Sequence, residues 1–197
     1  MARMSEGPWR WPWLPLLLHV GAVVGFGWTL EGYAWTQHPV ALLGARGVAH
    51  ALGFNLLGFV LPGVLAVWLL LDLVRRLPVD ARWPLRLGAQ MQMVAALAFI
   101  AMGLLPLDAQ DVDGPASGLH ASMWMLWALA FLLGTPLLAV GARARPDWRR
   151  VALLGWPVGL LALVLGFVLA GPVPQRLLFL LWGLWLALLP RLLPARG

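Results

Sequence analysis

The stretch Gly103 to His120, GLLPLDAQDVDGPASGLH, separates two long apolar runs of the chain. It places three aspartates and a histidine between runs that carry almost no charge. Ionisable groups at a bilayer are costly and often mark functional sites. An apolar run, a polar turn and a second apolar run predict a helical hairpin in a membrane. The turn is then the first candidate for a catalytic or binding site.

Composition agrees with a membrane location. Of the 197 residues 61% are hydrophobic, and the mean hydropathy is +0.83, whereas about 45–50% apolar residues is usual in soluble domains. The chain has no Cys and no Lys, which excludes thiolate metal sites, covalently attached haem and lysine Schiff bases. The basic residues are all arginines in short clusters between apolar runs. Such clusters are typical of the charged loops that set the orientation of a membrane protein, so no nucleic-acid partner is expected.

Six apolar runs approach or exceed the roughly 20 residues that a helix needs to cross a hydrocarbon core of about 30 Å. They cover residues 14–32, 49–74, 87–105, 118–140, 151–170 and 177–193. The sequence therefore predicts an all-α, polytopic membrane protein with six transmembrane helices in one bundle, as a single domain over residues 1–197.

The arginines predict the orientation. An even number of spans puts both termini on one side of the membrane. Arginines are far more frequent in cytoplasmic loops than in external ones. Only Arg46 and Arg176 fall on the side opposite the termini, so both termini are expected to be cytoplasmic. The arginines on the terminal side are Arg3, Arg10, Arg75, Arg76, Arg82, Arg86, Arg143, Arg145, Arg149, Arg150, Arg191 and Arg196.

Polar residues gather on the outer side of this topology. The residues concerned are Glu31, His38, His50, Asp108, Asp111, Asp113 and His120. His50 precedes the second span, and Asn55 lies about one and a half turns deeper. Trp124 follows His120 at a spacing of four, which puts both on one helix face. If spans two, three and four are neighbours, His50, Asp108 and His120 converge.

Two interpretations of these residues stay open. In the first, Asp108 and His120 interact directly as a catalytic pair, or a zinc ion binds His50, Asp108 and His120, with His38 as a further ligand. His38, His50, Asn55 and Trp124 would then bind the ligand. In the second, the histidines cap helices and the aspartates solvate a turn. Ser117 is expected to be the N-cap of the fourth helix.

Several short motifs carry a resemblance to a known family. They are HPVALLGARG at residues 38–47, FNLLGF at 54–59, LPG at 61–63, GLLPLD at 103–108, and His120. The chain resembles the bacterial and archaeal membrane family catalogued as domain of unknown function 998, whose members show HP-x-x-x-LG, FN-x-x-G, GLFP-x-D and a later histidine. Leu105 replaces the usual Phe. The resemblance implies about six spans in a bacterial or archaeal cytoplasmic membrane, makes His38, Asn55, Asp108 and His120 the positions to test, and implies no activity.

Three functions are compatible with these observations. The first is an outward-facing His/Asp pocket that binds or acts on a lipid or another amphiphile, because polar residues lie above an apolar, tryptophan-rich bundle. The alternative is a zinc-dependent membrane hydrolase. The second alternative, a small transporter, has less support because no charged residue is expected at the midplane.

Overall fold

The computed structural model describes residues 11–167 and 171–194. Over these residues the protein is helical with no β-strand, and five helices are long and apolar enough to cross a membrane. The all-α prediction is confirmed, and the five helices agree with a multi-pass membrane protein. Outside the described residues lie Arg3, Arg10, Arg196, positions 168–170 of the predicted fifth span, and both ends of the predicted domain.

The helices of the described residues are α1 (Leu14–Thr29), α2 (Ala51–Arg75), α3 (Trp83–Leu104), α4 (Pro115–Ala142), α5 (Arg149–Phe167) and α6 (Pro172–Leu192).

Proline defines several helix starts. It occupies the first turn of α1, α3, α4 and α6, where a missing N–H leaves no hydrogen bond unmade. Helices α3, α4 and α6 start three to five residues before the predicted spans, because their proline-led first turns lie outside the apolar runs.

Helix α1 is shorter than its predicted span. Its 16 residues give a length of about 24 Å, against about 30 Å for a hydrocarbon core. The helix ends at Thr29 because Leu30 is extended and Gly32 adopts a φ of 74°. The prediction of six full-length spans is therefore not confirmed: the described residues form five long helices and a short one.

The six helices form a closed ring in chain order, in which α6 also contacts both α5 and α1. The tightest pair is α3 and α4, where Gly88 lies against the backbone of Leu138 and Gly141 lies against the backbone of Leu85. Small residues permit such close approach between membrane helices. Aromatic rings fill the centre of the ring: Phe59, Phe99, Trp127, Phe179 and Trp182, with the imidazole of His19 among them.

One end of the bundle is rich in arginine. There the Arg76 side chain bonds the carboxylate of Asp72 and the carbonyl of Pro194, both at 2.7 Å, which ties the end of α2 to the end of α6. In the neighbouring loops, Arg145 contacts both carboxylate oxygens of Asp80 at 3.0 Å. The other described arginines at this end are Arg75, Arg82, Arg86, Arg143, Arg149, Arg150 and Arg191. Arg46 and Arg176 lie at the opposite end, as predicted.

Candidate functional site

The end opposite the arginine-rich loops is covered by residues 30–50, the cap segment. Arg176 in the first turn of α6 anchors it, because its Nη2 donates to the Tyr33 hydroxyl at 2.5 Å and to the His38 carbonyl at 2.9 Å. The Gln175 side chain accepts a hydrogen bond from the Val40 amide at 3.3 Å. The cap segment is thus fixed to α6.

Asn55 attaches the cap segment to α2. Its side-chain amide is buried and donates to the Gly44 carbonyl at 2.9 Å. A Cβ on residue 44 would collide with the Asn55 amide, so glycine is required at this position. The Arg46 amide donates to the Leu107 carbonyl at 2.7 Å, which joins the cap segment to the turn before α4. Asn55, which was predicted to bind a ligand, therefore uses its side-chain amide to hold the cap segment.

The side chain of His38 makes a hydrogen bond within the cap segment. Its Nδ1 accepts a hydrogen bond from the Ala34 amide at 3.0 Å, and its ring lies 5.8 Å from the ring of Tyr33. The ring thus closes a turn of the same segment. Among the described residues, His38 belongs to no group of three His, Cys, Asp or Glu side chains that could hold a metal ion.

The turn between α3 and α4 is braced by Ser117. Its hydroxyl accepts from the Asp108 amide at 3.2 Å and lies 2.7 Å from the Asp111 carbonyl. Helix α4 begins at Pro115 with Gly114 as its N-cap, so the prediction of Ser117 as N-cap is wrong. The Asp108 carboxylate accepts from the Gln110 amide at 3.1 Å, a contact within the turn.

His120 is bonded to the end of α3. Its Nδ1 lies 2.9 Å from the carbonyl of Leu105, the residue at which α3 ends. The last carbonyls of a helix have no donor within the helix, and His120 supplies one. The predicted direct hydrogen bond between Asp108 and His120 is therefore not formed: each side chain satisfies backbone groups instead. His120 caps α3, which agrees with the structural interpretation of the histidines.

His19 makes an equivalent contact inside the ring. Its Nδ1 lies 2.7 Å from the Gly58 carbonyl, four residues before Pro62. Pro62 follows a π-helical segment of α2, Asn55–Val60. Because a carbonyl only accepts, the imidazole carries its proton on Nδ1. His19 of α1 is thus bonded to α2.

The predicted zinc set is not assembled. Across residues 11–167 and 171–194, no three His, Cys, Asp or Glu side chains are grouped closely enough to hold a metal ion. His120 faces the end of α3, Asp108 lies in the turn, and His50 lies between α1 and α2. Trp124, predicted to bind the ligand, is half-buried against the core, and its indole N–H has no partner among the described residues.

His50 lines an open groove between α1 and α2. The cavity has a volume of about 410 Å³, and its walls are almost entirely apolar. Gly21 and Gly25 face open space, because a Cβ on either would meet no atom within 4 Å. His50 and Thr29 supply the polar groups at the cap end. We call this cavity the α1–α2 groove.

The backbone of His50 is in an unusual conformation. Its φ of 61° is the only positive value of a non-glycine residue among those described, and such values are uncommon in folded proteins. Sequence reasoning identified His50 but missed the groove. The sequence shows Gly21 and Gly25 four residues apart, but this spacing is the same whether protein or lipid covers the two glycines.

Comparison of the chain with family models, curated proteins and solved structures finds no match. The resemblance to the family of unknown function 998 therefore stays a prediction. The evidence for a function is the groove, the polar groups at its end and the distribution of charge.

Proposed function

We propose that this chain is a six-span protein of a bacterial or archaeal cytoplasmic membrane that binds one lipid or another amphiphile in the α1–α2 groove. The observation that carries the proposal is an open apolar groove with the exposed imidazole of His50 at one end. An amphiphile has the same two parts, an apolar chain and a polar head.

The size of the groove suits an acyl chain. Leu18, Gly21, Gly25 and Thr29 recur at helical spacing along one face of α1, and Leu57 of α2 forms the facing wall. From Leu18 to Thr29 the groove extends about 16 Å at the helical rise of about 1.5 Å per residue. The volume of about 410 Å³ falls within the range of about 300–1,000 Å³ for ligand pockets.

The polar end of the groove suits a head group. The His50 imidazole has no hydrogen-bond partner among the described residues, and it is exposed. A neutral imidazole offers one donor and one acceptor, whereas the protonated form offers two donors. Backbone strain of this kind is often associated with functional positions. The strained conformation at His50 therefore supports a role in binding.

The arginine distribution supports the orientation in this proposal. The arginine-rich end would face the cytoplasm by the positive-inside rule, so the cap segment and His50 would face outwards. Both termini would then be cytoplasmic. Helix α1 would be the sixth span despite its length, because a bilayer thins locally around a short apolar helix at a modest cost.

Binding is favoured over hydrolysis and over transport. Among the described residues no carboxylate lines the groove beside His50, so none of them gives the imidazole the orienting partner that a general base or a metal-bound histidine usually has. For transport, the one carboxylate that is fully buried among the described residues, Asp72, is paired with Arg76 near the arginine-rich end. Coupled carriers usually keep such groups at the midplane.

The test is to fill the groove. Replacing Gly21 and Gly25 together by leucine should prevent retention of the amphiphile by protein extracted gently from its own membrane, as measured by native mass spectrometry. Gly118→Leu is the control, because Gly118 is also a helical glycine that faces open space but lies on α4. His50→Asn should weaken retention without refolding the cap, since Asn tolerates a positive φ.

Equal retention by the wild type and the groove-filled protein would contradict the proposal. So would a Gly118→Leu variant that loses the amphiphile to the same extent. Thermal unfolding of all variants in detergent checks that the bundle is intact.

A further inference from the structure

A second large cavity lies at the arginine-rich end, between the α4–α5 connection and the first two turns of α5. It has a volume of about 450 Å³. Three of its lining residues are arginines, Arg143, Arg145 and Arg149, and two are the exposed apolar residues Leu153 and Trp156. We call it the α5 cavity. It is separate from the α1–α2 groove, which lies on other helices.

The α5 cavity keeps uncompensated positive charge. Arg145 is paired with Asp80 at 3.0 Å and lies 3.7 Å from a carboxylate oxygen of Asp147. Arg143 and Arg149 have no ion-pair partner among the described residues. The positive-inside rule explains why arginines lie at this end. It does not explain why three of them surround one cavity.

An apolar stripe leads away from these charges. Arg149, Leu153 and Trp156 follow one another at spacings of four and three, so they share one face of α5. Leu153 is 64% exposed and Trp156 is 46% exposed, and both face away from the bundle core. Trp156 lies about 10 Å along the helix axis from Arg149. The surface thus changes from cationic to apolar in the direction of the bilayer.

We propose that the α5 cavity binds an anionic glycerophospholipid, with the phosphodiester group at Arg143 and Arg149 and an acyl chain along Leu153 and Trp156. Guanidinium groups hold phosphate through charge-assisted hydrogen bonds. Basic pockets at the cytoplasmic side of membrane helices suit anionic head groups. The site is additional to the α1–α2 groove and does not depend on it.

The test compares lipids on purified protein by native mass spectrometry. Phosphatidylglycerol, phosphatidylcholine of the same acyl chains, and soluble glycerol phosphate are titrated separately. We expect phosphatidylglycerol to bind the wild type more tightly than phosphatidylcholine, and glycerol phosphate to bind weakly because it lacks the acyl chains. Arg143→Gln and Arg149→Gln should each lower the affinity for phosphatidylglycerol roughly fivefold, which corresponds to about 1 kcal/mol.

Two controls separate a defined site from general charge. The double variant Arg75→Gln/Arg82→Gln removes charge from the same end but away from the cavity, and it should retain the affinity of the wild type. Trp156→Ala should weaken both phospholipids but leave glycerol phosphate unaffected. The proposal is overturned if the Arg75/Arg82 double variant lowers the affinity for phosphatidylglycerol as much as Arg143→Gln or Arg149→Gln does. It is also overturned if the two phospholipids bind equally well, or if glycerol phosphate binds as tightly as phosphatidylglycerol. The variant filled at Gly21 and Gly25 should retain phosphatidylglycerol at the α5 cavity, whichever way the groove test turns out.

Discussion

His19 and Pro62 are linked through one backbone group: the imidazole of His19 donates to the Gly58 carbonyl, the acceptor that Pro62 cannot bond. His120 makes a similar contact at the end of α3, where its Nδ1 lies 2.9 Å from the Leu105 carbonyl. A bilayer core has no water to satisfy a free carbonyl, so another helix must supply the donor. Two of the four histidines thus bond a backbone carbonyl within or at the end of a neighbouring helix.

The first prediction tests this relation at His19. His19→Phe should lower the free energy of unfolding by about 1 kcal/mol, because the Gly58 carbonyl loses its donor in an apolar environment. His19→Phe should lower the free energy of unfolding by less when Pro62→Ala is also present, because that substitution restores a backbone N–H that can donate to the same carbonyl. Thermal or denaturant unfolding in detergent measures all four proteins of the cycle.

Pro157→Ala is the matched control for this cycle. Pro157 also lies inside a helix, α5, but the carbonyl that His19 bonds lies on α2, so Pro157→Ala should not alter the loss of stability caused by His19→Phe. If the changes in unfolding free energy from His19→Phe and Pro62→Ala are additive, the imidazole does not replace the hydrogen bond to the Gly58 carbonyl that Pro62 cannot make.

The second prediction concerns Asp108 and His120. His120→Leu should destabilise the protein by about 1–2 kcal/mol, because the Leu105 carbonyl at the end of α3 loses its donor. Asp108→Asn should have a small effect, since an amide oxygen still accepts from Gln110. In the double variant, the two changes in the free energy of unfolding should add, because the two side chains bond different backbone groups. A coupling energy as large as the single effects would indicate a direct interaction that the structure does not show.

The sequence predicts the helices well for a physical reason. Each apolar run must be a helix because no other single segment satisfies its own backbone in a bilayer. The predicted starts of α3, α4 and α6 were late, since Trp83, Pro115 and Pro172 initiate helices without adding to a continuous apolar run. The length of α1 was overestimated because hydropathy does not reveal that Gly32 takes a positive φ.

The candidate site could be predicted only in part. Hydropathy and topology placed His50, Asp108 and His120 at one end of the bundle, but they did not say which groups each side chain faces. The partner of His120 is a backbone carbonyl, and carbonyls are present at every position of a sequence. The α1–α2 groove was missed for a similar reason: it depends on which faces of α1 and α2 remain uncovered.

The third prediction concerns topology. The chain has no cysteine, so labelling of this protein at a single introduced cysteine reports on which side of the membrane that residue lies. Val112 and Val79 form a matched pair, because they are 64% and 94% exposed in loops at opposite ends of the bundle. A membrane-impermeant maleimide applied to intact cells should label Val112→Cys at once and Val79→Cys only after permeabilisation. The reverse pattern would place the cap segment in the cytoplasm.

The fourth prediction concerns Tyr33, which Arg176 anchors in the cap segment. Burial raises the pKa of the Tyr33 phenol above its ordinary value of 10.0, and the charge of Arg176 and its hydrogen bond partly oppose that rise. The folded protein therefore holds the phenolic proton more tightly than the unfolded chain. The resulting stability is fully present below pH 10 or so and is lost as the pH rises through the higher pKa of the folded state.

Because the chain has one tyrosine, ultraviolet absorbance of tyrosinate reports Tyr33 alone. In the folded protein it should appear at higher pH than in the denatured chain, where the pKa is about 10. Arg176→Gln should raise the folded pKa further by removing both opposing effects, and Arg176→Lys should preserve part of them. Tyr33→Phe should abolish the loss of stability that the phenol causes at high pH. If Arg176→Gln instead moved the titration down to that of the denatured chain, the arginine would be needed chiefly to keep Tyr33 buried, and its charge would be the smaller effect.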